Sequence, residues 1–414
     1  MRCRKFMWGS VAALCTLAGC SKMLETISLP EDSGPEASVP GVTVEEMARL
    51  LSELPIGREQ VREVHDAVSA SAGNGYDEEY TLRDLIATPG AGVGDAASKA
   101  EPRTYQRPLR DLLREALAAT RAGADEWLDS LSGTDLQIYW PYSASWDGEG
   151  LPVVTFDPGD FAVENVGYAL QADGSVAEVT VNEAMAASRP VWVVNRNSDA
   201  DFTSLELLRR QDPSWGNGGG DILVRSVAGG KDFKTLILRS FRANRQFDSW
   251  FCGASEFFVK VGAVEDFWAS TEAELRLYQP SVTDFMIVVR RDQVEQDLPF
   301  NAVLVSEWTG QLSNCAFMVI EDDGGTRTTW KCSAVVKYSS KNYGFELEIP
   351  LNSRDDIVWR GALTSNYIER YSGSTGHFGD VDLVLDFICP EPASTHSPLS
   401  RNEGSLSLQS RPCK

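Results

Sequence analysis

The chain has 414 residues and a formal charge of −22 at pH 7, from 60 Asp and Glu against 38 Lys and Arg. A surface of that sign repels polyanions, which excludes nucleic acid as a partner, and it gives no help in holding anionic lipid headgroups. With 43% hydrophobic and 24% charged residues the composition is that of globular domains, and the length suits two domains or three small ones.

The N-terminus opens on a basic stretch, Arg2-Cys3-Arg4-Lys5, followed by an apolar run from Val11 to Ala18 broken only by Thr16. That run is too short for a membrane span, which needs roughly 20 apolar residues, and has the order of a secretory signal. It closes on Leu17-Ala18-Gly19-Cys20, which resembles the lipobox of bacterial lipoproteins. The resemblance implies that residues 1–19 are a signal peptide, that the Cys20 thiol receives a diacylglyceryl group, and that Cys20 becomes the acylated first residue. Each buried methylene contributes about 0.8 kcal/mol, so several acyl chains make a stable anchor. Residue 21 is Ser rather than Asp, so no inner-membrane retention signal is evident. The expected location is therefore outside the cytoplasm, anchored by lipid, in the outer membrane; the periplasmic and surface faces both stay open. Residues 20–43, rich in Pro, Ser, Gly and Glu, read as the lipidated tether.

A helical region is expected over 44–135. Val44, Met47, Leu50 and Leu51 recur at helical spacing, as do Val61, Val64 and Val68, with Pro55-Ile56-Gly57 as the turn between them. Thr81-Leu-Arg-Asp84 has the form of a capped helix start. Leu109, Leu112, Leu113 and Leu117 mark an amphipathic helix, and 124–131 another.

From Leu136 the pattern turns to short β-like runs. A β-rich middle region covers 136–215, a β-sandwich of immunoglobulin-like or C2-like type covers 216–389, and a Ser- and Pro-rich disordered tail covers 390–414. The fold class is thus α+β, mainly β. Asp323-Gly324 suits a two-residue type I′ turn. Such a turn sets Cys315 opposite Cys332 at a non-hydrogen-bonded site, and predicts a disulfide between them. In the last strand Val381, Leu383, Leu385 and Phe387 share one face, with Asp380, Asp382 and Asp386 on the other.

Candidate chemistry is sparse. The three histidines are His65, His377 and His396, with no HExxH motif, too few for a usual zinc peptidase site. Ser374, His377 and Asp380 are too close in sequence for a usual triad, and no GxSxG elbow occurs. Gly218-Gly-Gly220 lacks the Lys-Ser/Thr of a phosphate-binding loop. Asp77-Glu-Glu79, Glu321-Asp-Asp323 and Asp355-Asp356 are candidate calcium ligands, since calcium takes oxygen donors; Glu321, Asp322 and Asp323 are the set carried forward. No other cofactor is implied. Tyr139, Trp140, Tyr142 and Trp146 fall within eight residues. The favoured reading sends these rings into a core; the functional one stacks them on sugar rings or anchors a peptide. Trp250-Phe251 reads as belonging to a separate turn.

The lipobox, the acidic tether and segments such as Leu136-Gln-Ile-Tyr-Trp-Pro-Tyr142 resemble uncharacterised lipoproteins of the Bacteroidetes type. That likeness implies a compartment and transfers no activity. The expectation is a non-enzymatic, lipid-anchored envelope protein that binds or scaffolds a protein or glycan partner. The alternative is an envelope hydrolase, acting on glycan or peptide through carboxylates or a calcium site.

Overall fold

The computed structural model describes residues 42–87, 105–120, 123–159, 162–171, 174–197, 202–211 and 233–389. It is mostly β with a minority of helix, as the α+β, mainly β reading expects. The described residues fall in one compact unit.

The helical stretch supplies α1 (Val44–Ser52), α2 (Arg58–Gly73), α3 (Leu82–Ile86), α4 (Leu109–Thr120) and α5 (Ala124–Ser132). Local chemistry fixes where two of them start. Thr43 Oγ1 accepts from Glu46 N at 3.1 Å while Glu46 Oε2 accepts from Thr43 N at 2.9 Å, a reciprocal capping box at α1. Thr81 Oγ1 accepts from Asp84 N at 3.1 Å and starts α3 as its sequence indicates. The spaced apolar residues Met47, Leu51, Val61, Val64, Val68, Leu109, Leu112 and Leu113 are all fully buried, in one cluster.

That cluster rests on a sheet made of β1 (Glu79–Thr81), β2 (Leu136–Tyr139), β3 (Val153–Phe156), β4 (Glu164–Leu170), β5 (Val176–Asn182) and β6 (Val191–Arg196), in the order β1-β2-β6-β3-β4-β5. Every pairing is antiparallel except β3 with β6. The helices and the middle strands therefore share one sheet and one core. The two-residue period of a strand divides the sheet between two cores. Ile138, Val154, Trp192 and Val194 face the helices, while Tyr139, Val153, Val191 and Val193 face the other way. That second face is covered by Trp250 and Phe251, whose rings lie 3.8 Å apart. The pair lies in a turn, as expected, and that turn joins the front sheet to the rest of the molecule. Trp250 Nε1 donates to Val163 O at 3.1 Å, and the buried Asn195 Nδ2 donates to Phe251 O at 3.1 Å and Cys252 O at 2.6 Å. Two short helices, α6 (Glu183–Ala186) and α7 (Leu205–Gln211), follow β5 and β6.

The rest is two layers of sheet. The first holds β7 (Phe233–Ala243), β10 (Leu298–Thr309), β15 (Ser374–Phe378) and β16 (Val381–Ile388), ordered β10-β7-β16-β15. The second holds β8 (Ser255–Ala263), β9 (Ser281–Val289), β11 (Leu312–Glu321), β12 (Arg327–Tyr338), β13 (Lys341–Asn352) and β14 (Asp356–Thr364). Side chains of both layers, with α8 (Ser365–Tyr371), form one apolar core centred on residues such as Phe241, Phe257, Phe317 and Phe387. In β16, Val381, Leu383, Leu385 and Phe387 are buried and Asp382 and Asp386 are not, matching the predicted alternation.

The predicted β11–β12 hairpin is corrected. The two strands pair only at Leu312↔Val336 and Asn314↔Val335, after which β8 takes the place of β12 along that edge of β11, with β14 on the other edge. Cys315 faces Leu363, Cys332 faces Leu347, and both thiols are free, so the Cys315–Cys332 disulfide is not formed. The cause is the turn. The left-handed residues are Gly324 (φ 68°) and Gly325 (φ 98°), not Asp323, which makes the connection longer than two residues. Asp322 Oδ1 braces it by accepting from Gly324 N at 2.9 Å and Asn352 Nδ2 at 3.0 Å. The wider loop lets the β12–β13 hairpin fold over β8, where Gly262 gives it room: a Cβ there would sit 2.0 Å from Leu347 Cδ1. Burial pushes the Cys315 thiol up to about 12 and Cys332 to about 11, so neither is a ready nucleophile. Cys389 is disulfide-bonded.

Candidate functional site

The aromatic run at the end of β2 separates into core and surface. Tyr139 and Trp140 point to opposite faces of the front sheet and are buried; Tyr139 offers no face to a ligand, while Trp140 forms part of the lining of the cleft described below. The place of Tyr139 in the ligand-binding set is corrected to a packing role, as strand alternation dictates. Beyond Pro141, Tyr142 adopts φ 62° and the chain turns outward. Its hydroxyl donates to Glu183 Oε1 at 2.9 Å; burial, then Glu183, pushes it up to about 12.

Trp146 is half-buried at this turn. Its Nε1 donates to Glu149 O at 2.7 Å, and its ring packs 5.4 Å from Trp140 and 4.9 Å from His65. His65, on α2, thus serves as an aromatic spacer between two indoles. Beside Trp146 opens a cleft of about 510 Å³, within the range that holds small ligands. Tyr142, Trp146, Asp147, Glu149, Ser188 and Arg189 line it. Arg189 Nη2 is aimed by a bond to Leu151 O at 3.1 Å. Asp147 Oδ1 accepts from Glu149 N at 2.9 Å, and Glu149 Oε1 pairs with Arg58 Nη2 at 2.5 Å. Three members of the predicted aromatic set, Trp140, Tyr142 and Trp146, therefore reach the cleft. Ser188 and Arg189 come to it from the α6–β6 connection, which carries no ligand signature in sequence.

The acidic runs resolve differently. Asp77-Glu78-Glu79 is a structural hub rather than a calcium loop. Asp77 accepts from Glu78 N at 2.7 Å and Ala254 N at 2.9 Å, Glu78 from Ser143 Oγ at 2.7 Å and Tyr142 N at 3.2 Å, and Glu79 from Asn197 Nδ2 at 2.8 Å. Glu321, Asp322 and Asp323 do not converge as one ligand set, because Asp322 turns to brace its own loop. Glu321 instead meets Asp248 and Glu256, and one carboxylate oxygen of each lies within 4.8 Å of the others. Asp355 accepts from Asn352 N at 2.7 Å; burial, with a bond to Asp322, pushes it up to about 7.

Ser374, His377 and Asp380 form no triad. His377 lies in strand β15, with Nδ1 2.5 Å from Asp382 Oδ1 across the β15–β16 pair. Asp380 is taken up by Arg245 at 2.9 Å, and Ser374 sits at the far end of β15, opposite Leu385. Cys20, Gly218-Gly-Gly220 and the 390–414 tail lie outside the described residues. Compared with known proteins, the chain matches no family model, no curated protein and no solved structure.

Proposed function

We propose that this is a lipid-anchored protein of the cell envelope that binds glycan in the cleft beside Trp146, without catalysis. The leader and Cys20 support export and anchoring; among the described residues no helix is long and apolar enough to cross a membrane. The observation that carries the glycan reading is the composition of the cleft wall. An indole lies among carboxylates, a hydroxyl and a guanidinium, in a space of about 510 Å³. Sugars present just these two demands, an apolar ring face to stack and a rim of hydroxyls to hydrogen-bond. A hydrolase would set two carboxyl groups across a cleft from each other. Here Asp147 and Glu149 sit two residues apart on one loop and hydrogen-bond locally, which favours binding over turnover. The two-layer β body fits a carrier for such a site, in the manner of immunoglobulin-like or C2-like modules; that is fold analogy.

Two measurements test this. Soluble cell-wall oligosaccharides titrated against the protein should change its tryptophan emission, and Trp146→Ala should weaken binding roughly 10-fold or more. A panel that gives no signal with the wild type sinks the glycan reading. Separately, Cys20→Ala should abolish labelling by palmitate and move the protein out of the membrane fraction. Unchanged fractionation would rule out the lipid anchor.

A further inference from the structure

Three chain segments bring acids to one point at the end of the second sheet layer. Glu256 is the second residue of β8, Glu321 is the last of β11, and Asp248 lies in the β7–β8 connection. The pairing of β8 with β11 sets Glu321 opposite Phe257, and Asp322 N donates to Glu256 O at 3.0 Å, so the two glutamates are held at adjacent strand ends. Ligand oxygens of all three acids lie within 4.8 Å of one another.

Glu321 is the informative member. Its side chain has 0% exposure, and neither Oε atom accepts a hydrogen bond. A buried carboxylate with no donor is unstable by several kcal/mol, so something must neutralise it. Burial first, and then Asp248, Asp323 and Asp356, push Glu321 far above the usual carboxylate range. The charges that weigh most on it are therefore other acids. Arg291, beside the cluster, donates its Nη2 to the carbonyls Asp248 O at 2.7 Å and Gly253 O at 3.2 Å, and its Nη1 pairs with Glu183 Oε1 at 3.6 Å.

Two chemistries can satisfy such a group: a proton shared with Asp248, or a cation. We propose that Asp248, Glu256 and Glu321 bind a divalent cation of the calcium class. The donors are all carboxylate oxygens, which suit a hard ion, and their spread matches oxygens around one centre at calcium–oxygen distances of about 2.3–2.6 Å. Half-buried Asp248 is the side from which an ion would enter. The position also has a consequence for the fold. Asp248 stands just before Trp250-Phe251, the rings that cover the back of the front sheet. A bound ion would fasten this connection to the ends of β8 and β11, and so clamp the two halves of the molecule.

The test uses the full-length protein, stripped of metal with EDTA, in thermal-shift and calorimetric titrations with CaCl₂ and with MgCl₂. At calcium near a hundred-fold above Kd, Tm should rise by roughly 3–6 °C, with one ion per chain. Glu321→Gln replaces a carboxylate by an amide that can donate to Asp248, so it should keep the fold and lose the calcium response. Should that variant not fold, Asp248→Asn at the more open position carries the same test, with at least a 10-fold weaker Kd. No heat and no Tm shift with either ion would overturn the proposal in favour of a shared proton. An unchanged calcium response in both variants would place binding elsewhere on the acidic surface and also overturn it. A magnesium response as large as the calcium one would overturn the choice of calcium.

Discussion

Trp192→Ala should lower the stability of the protein by about 3–5 kcal/mol, the cost of deleting a large ring from a close-packed interior. Trp192 has no exposed surface and is the second residue of β6, paired with Val154 of β3, in the strand that lies between β2 and β3. Its ring meets Trp140 at 6.2 Å beneath the helices, while Val191 and Val193 on either side of it fill the opposite core. Since the net stability of a domain is only about 5–15 kcal/mol, the loss should appear as a much lower urea midpoint with the slope unchanged. Trp192→Phe makes the argument specific. The indole Nε1 has no hydrogen-bond partner, so phenylalanine removes an unsatisfied donor along with part of the ring. It should cost far less than alanine, about 1 kcal/mol. Equal losses in the two variants would mean that ring volume is not what holds this core.

Where apolar spacing met a local stop signal, the sequence was easy to read. The leucines of α4, the Thr81 cap and the alternation in β16 need only neighbouring residues for their interpretation. What failed depended on contacts distant in sequence. The Asp323-Gly324 dipeptide has the residues of a tight turn, yet Gly325 and the Asp322 brace widen it, and β8 rather than β12 pairs with the rest of that edge of β11. Cys315 and Cys332 lost their pairing with it. Tyr139 to Trp146 read as one aromatic cluster, but strand alternation sends Tyr139 into the far core, while Trp140, Tyr142 and Trp146 reach the cleft. Glu321 was legible as an acid in a run, while its true companions, Asp248 and Glu256, are brought there by strand pairing alone. In each case the deciding fact is which strand lies beside which, and a single chain carries little local trace of that.

Stability should also fall as pH rises from about 5 to about 8, because of two buried glutamates that tie secondary elements together. Glu63 on α2 accepts from Leu109 N at 2.7 Å at the start of α4, with Tyr80, Glu59 and Asp111 around it. Glu78 accepts from Ser143 Oγ and Tyr142 N, with Asp77, Asp292 and Arg290 around it. Burial, the largest cause in both, raises each from the ordinary 4.5 to about 7. A carboxyl raised in the folded state binds its proton more tightly there than in the unfolded chain. Its contribution is therefore fully present below pH 4.5 and is lost as pH climbs through about 7. At 1.36 kcal/mol per pKa unit, each group accounts for about 3 kcal/mol across that window. Glutamine mimics the protonated acid at both sites. In Glu63→Gln the amide oxygen can keep the Leu109 N–H, and in Glu78→Gln the amide can donate to the Ser143 hydroxyl. The double variant should thus match the wild type at pH 5 and exceed it at pH 8 in urea denaturation. A wild type equally stable at the two pH values would show that these carboxyls are already ionised in the folded chain, and that water or a counter-ion reaches them.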